Sequence, residues 1–136
     1  MGQFQQRIGP YVDRLLRASE ESGAHAGAKL DQDRRELTVY GVGEPSASLD
    51  AIMAEAPAGL GVHWRSAPYT RNELVAETER IMTAFEQLST GGPRTDGTAL
   101  EFTTTDADLL TADDPQEALG SRYPVTIRHG GRPSLL

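Results

Sequence analysis

Glu36-Leu-Thr-Val-Tyr-Gly41 is followed by a helical stretch and then by Gly61-Val-His-Trp-Arg-Ser66. Ala99-Leu-Glu-Phe-Thr-Thr104 is followed by another helical stretch and then by Pro124-Val-Thr-Ile-Arg-His129. Apolar and polar residues alternate through these segments, the period of a strand with one covered face. One layout therefore occurs twice, and it predicts two β-α-β units joined by a long helix. The class that follows is α+β, with a mostly antiparallel sheet covered by helices.

Working outward, the first unit spans 27–66 and opens on a hairpin. Gly27–Asp31 and Glu36–Tyr40 alternate on either side of the polar turn Gln32-Asp-Arg-Arg35. Leu37, Val39 and Gly41 share one face. In the following strand Val62 and Trp64 share a face and His63 and Arg65 take the other, which makes the single tryptophan a core residue. Between them, Pro45-Ser-Ala-Ser48 opens a short helix through Leu49, Ile52, Met53 and Ala56 that Pro57 and Gly59 stop. Thr70-Arg-Asn-Glu73 is a capping box, so a linking helix is predicted over 70–90. Its buried stripe is Leu74, Ile81, Met82, Phe85 and Leu88, and its stop is Gly91-Gly-Pro93.

The second unit spans 97–129. It is predicted as a strand with Leu100 and Phe102 inward, a weak helix that restarts at Pro115, and a last strand over 123–129 with Val125 and Ile127 inward. Residues 130–136 form a tail. At the other end, Phe4, Ile8, Val12, Leu15 and Leu16 lie at helical spacing, an amphipathic helix within 1–22 whose well-formed part is expected to start near Pro10.

The chain has 136 residues, 38% of them hydrophobic, enough for one modest domain over 1–136. Its formal charge of −7 repels a phosphate backbone, and no basic stripe with interleaved aromatics offsets this, so nucleic acid is excluded as a partner class. No run approaches the ~20 apolar residues that span a bilayer, and the first residues lack a basic then apolar leader. A cytoplasmic protein without membrane partners is expected from the sequence as written, and a secreted one only from a longer, trimmed precursor. Cysteine is absent, which removes disulfides and thiol chemistry. Twelve arginines against the single Lys29, with abundant Ala, Gly and Thr, suggest a high-GC bacterial coding sequence.

No residue set carries catalytic chemistry. His25, His63 and His129 lack ligand-like spacing; His63 and His129 fall at equivalent places in the two repeats and are read as strand-face residues. Asp106, Asp108, Asp114 and Glu117 match four positions of a calcium loop, but Leu110 and Thr111 stand where a ligand and a glycine are required, so helix caps are the better reading. Gly41-Val-Gly43 is followed by Glu44-Pro45 and reads as a turn or bulge, not a dinucleotide loop. Nucleophile elbow, phosphate loop and zinc-helix motifs are missing. Neither catalytic residue, metal nor cofactor is expected.

The stretches Ala28-Lys-Leu-Asp31, Arg35-Glu-Leu-Thr-Val-Tyr40, Gly61-Val-His-Trp-Arg-Ser-Ala-Pro-Tyr-Thr-Arg-Asn-Glu-Leu74, Asp96-Gly-Thr-Ala-Leu-Glu-Phe102 and Tyr123-Pro-Val-Thr-Ile-Arg128 resemble the pro-region-like module of secreted chymotrypsin-like serine proteases from actinobacteria. The resemblance implies a folding template or inhibitor that lays a sheet edge against its protease. No protease domain follows in this sequence, which leaves a stand-alone, non-enzymatic protein-interaction module. The candidate contact is the last strand over 123–129, with Tyr123, Val125, Ile127 and Arg128, together with the tail 130–136, and Trp64 and Arg65 are secondary candidates. A self-assembling structural subunit and a small-ligand sensor are the alternatives.

Overall fold

A computed structural model describes residues 3–131, with side chains from Arg7 onward. The backbone forms two compact units, Met1–Thr70 with Thr95–Gly97, and Arg71–Arg94 with Thr98–Leu136. The α+β class read from the sequence holds, and each of these two units has its own sheet.

The first unit contains α1 (Gln3–Glu21), β1 (His25–Asp31), β2 (Glu36–Gly41), α2 (Ala47–Ala54) and β3 (Gly61–Ser66). β2 is central, antiparallel to β1 and parallel to β3. Leu37 and Val39 point from β2 into a core completed by Ile8, Leu15, Leu49 and Leu60. α1 runs unbroken through Pro10, which corrects the expected start there. Ile8, on one side of the proline, and Leu15, on the other, are buried in the same core, so docking holds both halves in line against a proline cost of ~3 kcal/mol. α2 starts as predicted, with the Ser46 hydroxyl accepting from the Leu49 amide.

The second unit contains α3 (Arg71–Ala84), β4 (Leu88–Pro93), β5 (Leu100–Thr104), α4 (Ala107–Leu110), α5 (Pro115–Ala118) and β6 (Val125–His129). Its central strand, β5, is antiparallel to β4 and parallel to β6. Two expectations are corrected here. The linking helix over 70–90 ends at Ala84, and Leu88–Pro93, taken as its last turn and its stop, is a strand. The second unit is therefore ββαβ and begins before residue 97. Pairing with β5 outweighs the poor strand propensity of Gly91, Gly92 and Pro93. The repeat accordingly has a longer period: helix, hairpin, helical crossover and parallel strand, twice. Each sheet carries one antiparallel and one parallel ladder rather than mostly antiparallel pairing. Asp114 caps α5 with Pro115 in its first turn.

Phe102 is fully buried and its ring lies against Gly91, where a Cβ would overlap it. Phe102→Ala is expected to destabilise the chain by ~3–5 kcal/mol by cavity formation, and Gly91→Ala by ~1–3 kcal/mol by overpacking, both read from urea unfolding midpoints.

Candidate functional site

A sheet of three strands has two edges, and each edge is a row of amides and carbonyls open to another strand. The two sheets here differ little in how they treat theirs. β1 is bulged between His25 and Gly27, and the Thr95 carbonyl lies so close over Gly27 that a Cβ there would overlap it. β4 is bulged between Leu88 and Thr90 and ends in Gly91-Gly92-Pro93. Bulges and proline blunt an edge against pairing. β3 and β6 have neither: both keep an unbroken register against their neighbours, and among the described residues no further strand pairs with either.

The last strand, with its lead-in, carries most of the candidate residues. Leu100 N–H donates to Pro124 O at 2.9 Å and Gly130 N–H to Thr104 O at 3.0 Å. Between those ends a parallel ladder engages Pro124, Thr126, Arg128 and Gly130, and so turns the N–H and C=O groups of Val125, Ile127 and His129 away from β5. Val125 and Ile127 face the covered side and are half-buried; Thr126, Arg128 and His129 are exposed. The Arg128 guanidinium lies 3.9 Å from Glu101, with its side chain 72% exposed, a loose pair that leaves it accessible.

Tyr123 lies before β6, not in it. That lead-in is fastened to α3 by a carboxylate. Glu77 is 5% exposed; Arg80 donates to it through Nε at 2.6 Å and Nη2 at 3.0 Å, and the Arg122 amide donates to Oε2 at 2.7 Å. Arg80 Nη2 also reaches Gly120 O at 2.8 Å. Ser121 closes the turn, donating to Tyr123 O and accepting from the Tyr123 amide. The paired Arg80 guanidinium, helped by the Arg122 amide and opposed by burial, holds the Glu77 carboxyl below the usual carboxylate range. Sequence reading missed Glu77, although a glutamate three residues after Leu74 on the buried stripe was the available signal.

Trp64 and Arg65 sit on β3, in the first unit. Trp64 is half-buried against the core, its indole Nε1 donating to Gly43 O at 3.0 Å. Its ring lies over Gly41, where any Cβ would overlap it. Arg65 is exposed on the opposite face, at one side of an open depression of about 430 Å³ whose lining includes Lys29, Asp31, Glu36, Tyr40 and Asp96. Its mixed charge gives it no evident ligand preference. The candidate residues thus form two separate groups, one on each edge strand.

Register also corrects the histidine equivalence. Leu37 lies opposite Val62 and Leu100 opposite Val125, which matches Arg65 to Arg128, His63 to Thr126 and Ser66 to His129. His25 is elsewhere: its Nδ1 is 2.7 Å from Ser19 Oγ. A serine-imidazole pair suggests nucleophilic chemistry, but Ser19 is fully buried and meets no substrate. Asp106 and Asp114 accept from the amides of Leu109 and Glu117 as helix caps. Among the described residues no cluster suited to a metal ion occurs, and no helix is long and apolar enough to cross a membrane. No protein-family model, curated protein or solved structure matches the chain.

Glu77 has a depressed folded-state pKa, so its contribution to stability is complete above the pKa of the unfolded chain and is lost as pH falls through the folded value. Glu77→Gln is expected to cost ~1–3 kcal/mol at neutral pH and to flatten the acid limb of a stability-versus-pH profile relative to the parent chain.

Proposed function

We propose that this chain is a non-enzymatic protein-interaction module that takes up an extended segment of a partner by adding it to the free edge of β6. The observation that carries the reading is the β6 edge itself: five residues in unbroken register, without bulge or proline, with the amides of Val125, Ile127 and His129 directed outward. Main-chain hydrogen bonds along such an edge supply affinity, and the alternating side chains supply selectivity. Glu77 and Arg80 fix the approach to the strand, which reduces the ordering cost of binding. On the resemblance of the sequence to protease pro-regions, the partner is a chymotrypsin-like serine protease of actinobacteria, which the module chaperones or inhibits.

The same hydrogen bonds would serve a second copy of the chain. In a symmetric antiparallel pair centred on Ile127, Val125 faces His129 and Thr126 faces Arg128 of the second copy, and concentration-dependent mass separates that self-pairing from uptake of a foreign strand.

Proline is the selective probe. His129→Pro removes an outward amide that the β5 ladder does not use, so the fold is expected to lose less than about 1 kcal/mol. With secreted chymotrypsin-like proteases from an actinomycete culture, the parent chain is expected to slow peptide hydrolysis and His129→Pro to lose that effect. Unchanged hydrolysis with the parent chain sinks the protease assignment, and equal inhibition by the variant sinks the edge.

A further inference from the structure

The repeat gives the chain two versions of the same edge. In β3, Gly61 N–H donates to Arg35 O at 2.9 Å and Ala67 N–H to Gly41 O at 2.8 Å. By the same ladder logic, Gly61, His63, Arg65 and Ala67 bond inward to β2, and the main-chain groups of Val62, Trp64 and Ser66 point outward. These are the register equivalents of Val125, Ile127 and His129.

Charge is distributed unevenly around both edges. Within a chain of net charge −7, the edge strands themselves carry no carboxylate, since no Asp or Glu occurs from Leu60 to Asn72 or from Ala118 to Leu136; the nearest carboxylates belong to the central strands, Glu36 at 3.9 Å from His63 and Glu101 at 3.9 Å from Arg128, and leave the exposed arginines on the outer row. On the open face the outer row of β3 is His63 and Arg65, both exposed, and that of β6 is Thr126 and Arg128. On the covered face the outer rows are Val62 with Trp64 and Val125 with Ile127, all half-buried. A strand laid alongside either edge would place alternate side chains beside the arginine and the others beside the apolar pair.

We propose that β3 is a second strand-pairing edge equivalent to β6, and that each edge takes an extended segment in which apolar and acidic residues alternate, so that one chain binds two such segments. The proposal rests on the edge-pairing reading of β6 and extends it to a second site and to the partner's chemistry. Opposite charges across strands favour the acidic segment, and a basic one meets like charge at Arg65 and Arg128.

The test titrates the ¹⁵N-labelled full chain with an eight-residue peptide of alternating valine and glutamate, and separately with its valine-lysine counterpart. The valine-glutamate peptide is expected to shift the amides of Val62, Trp64 and Ser66 together with those of Val125, Ile127 and His129. Ser66→Pro, whose lost amide is also outward, is expected to abolish the β3 response and preserve the β6 response. Arg65→Glu, a change on an exposed face, is expected to weaken the β3 response about fivefold. Shifts confined to β6 overturn the second site while leaving β6 intact. An absence of shifts at both edges overturns both readings, and an equal response to the lysine peptide overturns the acidic assignment.

Discussion

Everything in this protein is organised by a central strand that pairs antiparallel on one side and parallel on the other. An antiparallel neighbour is reached by a tight turn, as between β1 and β2, whereas a parallel neighbour demands a crossover. The crossover supplies α2 in the first unit and α4 with α5 in the second, and the helix ahead of each hairpin adds most of the buried helical side chains, Ile8 and Leu15 from α1 and Leu74 and Ile81 from α3. One pairing rule thus sets strand order, the covered face and the identity of the outermost strand.

The same rule explains why the edges are unequal. The hairpin-side edges, β1 and β4, carry the bulges, and bulges belong naturally to antiparallel pairs. The crossover-side edges keep a regular parallel ladder, whose slanted bonds leave every second residue with both main-chain groups directed outward. Their pairing capacity arises from the way the sheet is closed on the other side. Glu77 adds a constraint from below, since a charged group held under a strand's approach resists displacement more strongly than a neutral one.

Much of this was legible in the sequence. Alternation at Leu37 and Val39, at Leu100 and Phe102, and at Val125 and Ile127 located the central strands and the last one, and Ser46 and Pro115 marked helix starts. β4 was not legible, because Leu88-Ser-Thr-Gly-Gly-Pro93 has a composition suited to a turn and becomes a strand only through its neighbour β5. Phe85 and Leu88 also continued the helical stripe of α3, so local periodicity supported the wrong element. The inner part of the candidate site was hidden for a related reason. Nothing in the spacing of Glu77, Arg80 and Arg122 indicates that a helix and a loop 45 residues apart share one carboxylate. The outward amides of β6 depend on parallel pairing, which side-chain alternation does not encode.

Trp64 seated over Gly41 has a spectroscopic consequence. It is the sole tryptophan, and it lies in the first unit. Three of the four tyrosines, Tyr11, Tyr40 and Tyr69, fall in that unit too, leaving Tyr123 as the other unit's reporter. Indole emission excited at long wavelength therefore follows the loosening of one half of the chain and is blind to the other. Compared with a backbone signal that sums both halves, it converts thermal melting into a direct readout of whether the two repeats unfold together or in turn.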